Sequence, residues 1–177
     1  SLELEYGSDD AKELDALIFE TIYFAACTAS ADLAVKDGPY DSFEGSPASK
    51  GILQFDFWPN TKLHYKWGPL KAKIMQTGMR NSLLTAVMPT ASTSQIHGNT
   101  EECAVPQTNL YSRQTLAGKF MCINKILVFK LMMRNLWSEE MQQALLDNRG
   151  SVQNIPNFPE DLKPIFKTVW ETKMKDM

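Results

Sequence analysis

The chain has 177 residues, 44% hydrophobic and 22% charged, with nine glycines and nine prolines. That length and apolar content suit one folded domain with a real core, and they exclude disorder as a description of the whole. With 18 Lys and Arg against 21 Asp and Glu the net charge is -3, so no basic surplus points to nucleic acid or a membrane surface.

In chain order, Ser8-Asp9-Asp10 offers a cap and two acids at a helix start. Leu14, Leu17, Ile18, Ile22, Ala25, Ala29 and Leu33 then recur near helical spacing as far as Lys36, and Gly38-Pro39 stops the helix. From Gly38 to Asn60 the composition turns to Gly, Pro, Ser and aromatics without a period. Tyr40, Phe43, Phe55, Phe57 and Trp58 make this an ordered loop, since they are too apolar for a solvated linker. Pro69 to Thr77 reads as a short helix ended by Gly78. Asn81 to Met88 is the best strand candidate: short, nearly continuously apolar and stopped by Pro89, as a strand buried on both faces would be. Gly118–Ile123 is a second strand candidate, followed by helices near Asn124–Asn135 and Ser138–Asn148. Leu162, Ile165, Phe166, Val169 and Trp170 form a helical stripe in the tail, with Pro164 starting or kinking that helix. The class is α/β, with several helices, few strands and no internal repeat.

Cys27, Cys103 and Cys122 are odd in number and widely spaced, with no CxxC pair, and two histidines cannot complete a finger-type zinc site. A disulfide framework is therefore not expected, and a reducing compartment is favoured. Ser1-Leu2-Glu3-Leu4-Glu5 has neither the basic flank nor the apolar run of a signal peptide. The uncharged stretch Asn81 to Thr100 is long enough to span a bilayer, but its second half is too polar for that role. A soluble protein is the expectation.

Chemistry concentrates in Met88-Pro89-Thr90-Ala91-Ser92-Thr93-Ser94-Gln95. Hydroxyls and turn amides donate to anions, small side chains let a ligand reach the backbone, and a strand end feeding a helix start is a common phosphate site. The competing reading is a Ser/Thr-rich turn that caps the next helix, which spacing alone favours. Neither GxGxxG nor GxxxxGK[ST] is present. His97 is a donor or proton carrier beside an anion site, or simply a polar contact. Cys27 and Cys122 read as core, Cys103 as incidental, and Glu101-Glu102 as solvated loop charge. Trp58 and Trp67 have faces that could stack on a base, though core is the commoner use.

Longer strings carry a resemblance. Gly38-Pro39-Tyr40, Glu44-Gly45-Ser46-Pro47-Ala48-Ser49-Lys50-Gly51-Ile52-Leu53-Gln54, Arg80-Asn81-Ser82-Leu83-Leu84 and Met88–Ile96 resemble the large, catalytic subunit of class I ribonucleotide reductase. Tyr111-Ser112-Arg113, Asn124-Lys125, Leu136-Trp137, Gly150-Ser151-Val152-Gln153 and Lys167-Thr168-Val169-Trp170-Glu171 continue it over essentially the whole chain. The resemblance implies a partial segment, residues 1–177, of a ten-stranded α/β barrel. It implies an enzyme reducing ribonucleoside diphosphates to deoxyribonucleoside diphosphates by thiyl-radical chemistry. In that family the segment matching Thr90, Ala91, Ser92 and Thr93 holds the substrate diphosphate.

The implied partners are the nucleoside diphosphate, a metal-radical small subunit, a second large subunit, and thioredoxin or glutaredoxin, with ATP and dNTP effectors. Neither membrane nor nucleic acid is implied, and the setting is cytoplasmic. These residues carry no match to the family's ATP cone, radical-cysteine loop or C-terminal redox tail, and none of the three cysteines falls on a catalytic position. No catalytic residue, metal or cofactor is therefore expected within the segment, and the isolated chain is expected to be inactive and to fold poorly. His97 replaces a usual Leu, Gln114 an Arg, and Thr100–Thr108 departs from the family pattern. The rival expectation is a diverged, non-catalytic remnant that binds nucleotide or pairs with an intact large subunit.

Overall fold

A computed structural model describes residues 2–58, 61–101 and 105–174. They divide into two units, one of Glu13–Val87, the other of Ser1–Lys12 with Met88–Met177. The long helix α1 (Asp9–Asp37) starts as its sequence predicts, with the Ala11 amide donating to Ser8 Oγ at 3.2 Å. It ends at Gly38, whose amide donates to Ala34 O at φ 80°.

In the Glu13–Val87 unit α1 buries Cys27, Ser30, Ala31 and Ala34, a small-residue stripe at helical spacing. Against it pack Phe43, Leu53 and Met79 with Trp67, Leu70 and Ile74 of α2 (Trp67–Thr77). The loop after α1 is ordered, as expected, and contains the 3-10 turns Ala48–Lys50 and Gln54–Phe57. Tyr40, Phe43 and Phe55 serve the core, whereas Phe57 and Trp58 are exposed. α2 begins before Pro69, which sits harmlessly in the first turn, where an N–H has no helical acceptor. Gly78 closes it at φ 78°, where a Cβ would lie 2.5 Å from Pro39 Cβ. Buried Ser30 then ties the following segment down: its hydroxyl donates to Asn81 Oδ1 at 3.1 Å and accepts the Asn81 amide at 3.0 Å.

Asn81–Met88 is not a strand. It is irregular, and among the described residues no strand pairs with it. Leu83, Val87 and Met88 are exposed, and only Leu84 packs against the core. An apolar run becomes a strand only where a second strand accepts from its amides and donates to its carbonyls, and among the described residues none does so.

The other unit holds α3 (Ala91–His97), the hairpin β1 (Leu110–Thr115) and β2 (Gly118–Ile123), α4 (Lys125–Met133) and α5 (Glu139–Asp147). β1 and β2 pair antiparallel from Leu110↔Ile123 to Thr115↔Gly118. β2 matches its sequence reading; β1 was not anticipated, because Tyr111 to Thr115 is polar and exposed and has no apolar alternation to read. Asn124 and Ser138 cap α4 and α5 through their side chains. Leu127, Leu131, Leu145, Val152, Ile155, Phe158, Leu162 and Phe166 form the core.

Asn109 is the polar centre of this unit, 1% exposed. Its amide nitrogen donates to Gly150 O at 3.0 Å and Phe166 O at 2.9 Å, and its oxygen accepts from Asn124 Nδ2 at 2.9 Å. Gly150 has φ 78° and leaves no room for a Cβ, which would fall 1.9 Å from Thr108 Oγ1.

The expected tail helix is also absent as such. Residues 160–166 form turns, and Val169–Glu171 is a 3-10 turn. The stripe works for one turn only, burying Leu162 and Phe166, with the Phe166 amide donating to Leu162 O at 3.1 Å. Pro164 has no N–H to extend that turn, Thr168 is extended at ψ 167°, and Trp170 is 84% exposed. The segment before α1 is fastened to this unit by ion pairs from Glu3 to Lys130 and from Glu5 to Lys167.

Candidate functional site

The irregular run from Asn81 leads to Thr90, the N-cap of α3, at φ 51° and ψ 27°. A β-branched residue seldom enters this left-handed region, and such strain tends to collect where a backbone is held for a purpose. The Ser94 amide donates to Thr90 O at 2.9 Å and closes the first turn. Thr93 Oγ1 donates to the same carbonyl at 3.4 Å, and Ser94 Oγ donates to Ala91 O at 3.2 Å.

Ser94 is buried, while Thr90, Ala91, Ser92 and Thr93 are exposed together on one turn. The first amides of a helix have no intrahelical acceptor, so hydroxyls and N–H groups here share a surface able to donate to an anion. Ala91 adds no bulk beyond Cβ. Thr90 holds the N-cap position of α3 without a side-chain capping hydrogen bond, and the exposed hydroxyls stand at the start of that helix. A cleft of about 380 Å³ beside Tyr23, Tyr40, Leu53 and Asn81 lies in the other unit and does not include these residues.

The remaining candidates separate cleanly. His97 is exposed in the last turn of α3. Cys27 is fully buried, and burial pushes its thiol up to about 11, so it stays protonated at neutral pH. Cys122 is half-buried on β2 opposite Tyr111. Cys103 and Glu102 lie outside the described residues. Trp67 is core, and Trp58 is 59% exposed. Among the described residues no three His, Cys, Asp or Glu side chains cluster as metal ligands.

Two acids carry more than the sequence suggested. Glu101 is not simply solvated: its Oε1 accepts from Gln95 Nε2 at 3.2 Å and from Arg113 Nη2 at 3.3 Å. Glu20, on the apolar run of α1, reaches the chain ahead of α2. Its oxygens accept from the His64 and Tyr65 amides at 2.9 Å and from His64 Nδ1 and Trp67 Nε1 at 2.8 Å. Burial alone would raise this carboxyl, but the hydrogen bonds outweigh it and hold the group at about 2. The cue was an acid inside a hydrophobic helix, which needs a partner. By length and composition α1 could cross a membrane; in its unit Glu20 and the stripe of Cys27, Ser30, Ala31 and Ala34 pack along one face of it.

The family model described as ribonucleotide reductase, barrel domain, matches residues 1–177. The chain is 51% identical over 179 residues to the ribonucleoside-diphosphate reductase large subunit of Plasmodium falciparum (isolate Dd2), an alignment covering 99% of this chain and 22% of that protein. Against the large subunit of Dictyostelium discoideum it is 51% identical, covering 99% of this chain and 20% of the relative. Against that of Caenorhabditis elegans it is 48% identical, covering 97% and 22%. The chain belongs to the ribonucleotide reductase large-subunit family, within its barrel domain. It spans about a fifth of the length of these relatives.

Proposed function

We propose that this chain is a late segment of the ten-stranded barrel of a ribonucleoside-diphosphate reductase large subunit, and that Thr90, Ala91, Ser92 and Thr93 hold the substrate diphosphate. The observation that carries the reading is the exposed turn at Thr90, where a left-handed backbone leads three exposed hydroxyl residues into the first turn of α3. The family match over the whole chain supports it. Donors fixed before binding cost less to order than donors gathered by the ligand. Thr90, Ser92 and the local N–H groups donate to phosphate oxygens, Thr93 joins them by turning its hydroxyl from the Thr90 carbonyl, and the small side chain of Ala91 leaves the backbone open to them.

In this reading the parent enzyme, a cytoplasmic oxidoreductase of DNA-precursor synthesis, reduces ribonucleoside diphosphates by thiyl-radical chemistry. The radical and redox cysteines belong to other parts of the parent, and the small subunit supplies the radical. Thioredoxin or glutaredoxin restores the dithiols, and ATP and dNTP effectors regulate the dimer. This segment binds and orients. The protonated, buried Cys27 supports that division, because a thiol held at about 11 is a poor redox nucleophile.

Ser92→Asp in the full-length large subunit tests the reading. A carboxylate beside a diphosphate repels it, so KM for the nucleoside diphosphate rises at least tenfold at low salt. An unchanged KM in that variant rejects the loop as the diphosphate site.

A further inference from the structure

We infer that Glu101 is a positioning residue for the Thr90–Thr93 turn, acting through Gln95 and Arg113; this rests on the diphosphate reading of that turn. α3 has seven residues and buries only Ser94. So short a helix is not stable by itself, and with a single small residue packed it has little apolar contact to hold it. Its N-cap is in addition a strained Thr at φ 51°, a conformation that persists only when the surroundings over-determine it. Polar tethers are what the structure provides.

Gln95 lies three residues after Ser92, on the same helical face. Its amide donates to Glu101 Oε1, and that same oxygen accepts from Arg113 Nη2. Arg113 stands mid-strand on β1, paired with Phe120, so its backbone belongs to a regular ladder. The Lys125 ammonium lies against Gly98 at the C-terminal end of α3, within 3.5 Å of where a Cβ would sit. One acid thus links the turn's helix to the hairpin, and one base sits beside the carbonyl end of that helix, where positive charge is favourable. Removing the Glu101 carboxylate frees Gln95 and lets the donors at the other end of α3 drift from their common geometry.

The test uses the full-length large subunit with its small subunit. Glu101→Ala raises KM for the nucleoside diphosphate two- to fivefold while kcat stays within twofold, as expected of a partly exposed polar link. Glu101→Gln, which still accepts from both partners, has a smaller effect. The exchange Glu101→Arg with Arg113→Glu restores KM, because Gln95 presents its oxygen instead of its amide. A lowered melting temperature with KM unchanged in Glu101→Ala overturns the inference, as does failure of the exchange to restore KM. If Ser92→Asp raises KM and Glu101→Ala does not, positioning alone is rejected. If neither changes KM, the diphosphate reading falls and takes this inference with it.

Discussion

The Glu20 carboxylate takes hydrogen bonds from the His64 amide, His64 Nδ1, the Tyr65 amide and the Trp67 indole, with 7% of its side chain exposed. An ionised carboxylate only accepts, so Nδ1 carries the proton. Around this contact Phe24 stacks on Tyr65 with centroids 4.8 Å apart, and Phe55 meets Trp67 at 4.6 Å. One side chain therefore satisfies the backbone ahead of α2 and sets the aromatic cluster on α1. Glu20→Ala leaves those donors without an acceptor and costs about 2–3 kcal/mol; Glu20→Gln costs less because its oxygen still accepts. In the folded protein the Glu20 carboxyl is held at about 2, below the ordinary glutamate value of 4.5. The Glu20 contribution is accordingly complete above about pH 4.5 and is lost as pH falls toward 2. Urea midpoints across that window check this: the gap between the native protein and Glu20→Gln narrows on acidification, and a gap independent of pH would sink the account.

At the scale of elements, helices with their own caps were the legible parts. Ser8, Ser138 and the Asn124-Lys125 boundary mark helix starts because the capping donors lie within three residues, so the information is local. Asn124 adds a second task, donating to Asn109 Oδ1 as well as accepting from the Ile126 and Leu127 amides. Asn124→Ala should therefore cost more than an ordinary cap, about 2 kcal/mol against about 1 for Ser138→Ala. Equal shifts in the two urea midpoints would show that the Asn109 contact adds nothing. Strands were legible only in part. β1 has no apolar alternation, since both faces of the hairpin reach solvent, whereas Asn81–Met88 has the composition of a buried strand and, among the described residues, no partner strand. In the tail, the periodicity of Leu162, Ile165 and Phe166 was real, but Pro164 limits it to a single turn.

For the whole molecule, much apolar surface stays open. Leu83 is 89% exposed, Val87 65%, Met88 63% and Phe129 59%, and α1 exposes Ile18, Ile22 and Leu33 opposite its buried stripe. Exposed apolar surface on this scale marks contact with protein, ligand or membrane. The 177-residue chain expressed alone should thus enhance the fluorescence of an apolar-surface dye such as ANS strongly, and a full-length large subunit should do so weakly. Equal, weak dye binding by both would show that the open surface closes on itself.

The sequence by itself determined the helix boundaries with local caps, the glycine stops at Gly38 and Gly78, and the family, through strings such as Met88–Ile96. It also singled out Thr90 to Thr93, because hydroxyls and one alanine around a helix start carry their chemistry in their own few residues. Only the tertiary structure decided that Glu20 finds Trp67, that Glu101 joins Gln95 to Arg113, that Asn109 holds Gly150 and Phe166, and that Asn81–Met88 pairs with no strand among the described residues. Those outcomes depend on which distant backbone or side chain stands opposite a given group. A polar group or an unpaired strand declares only that it needs a partner, and the fold alone supplies one or leaves it wanting.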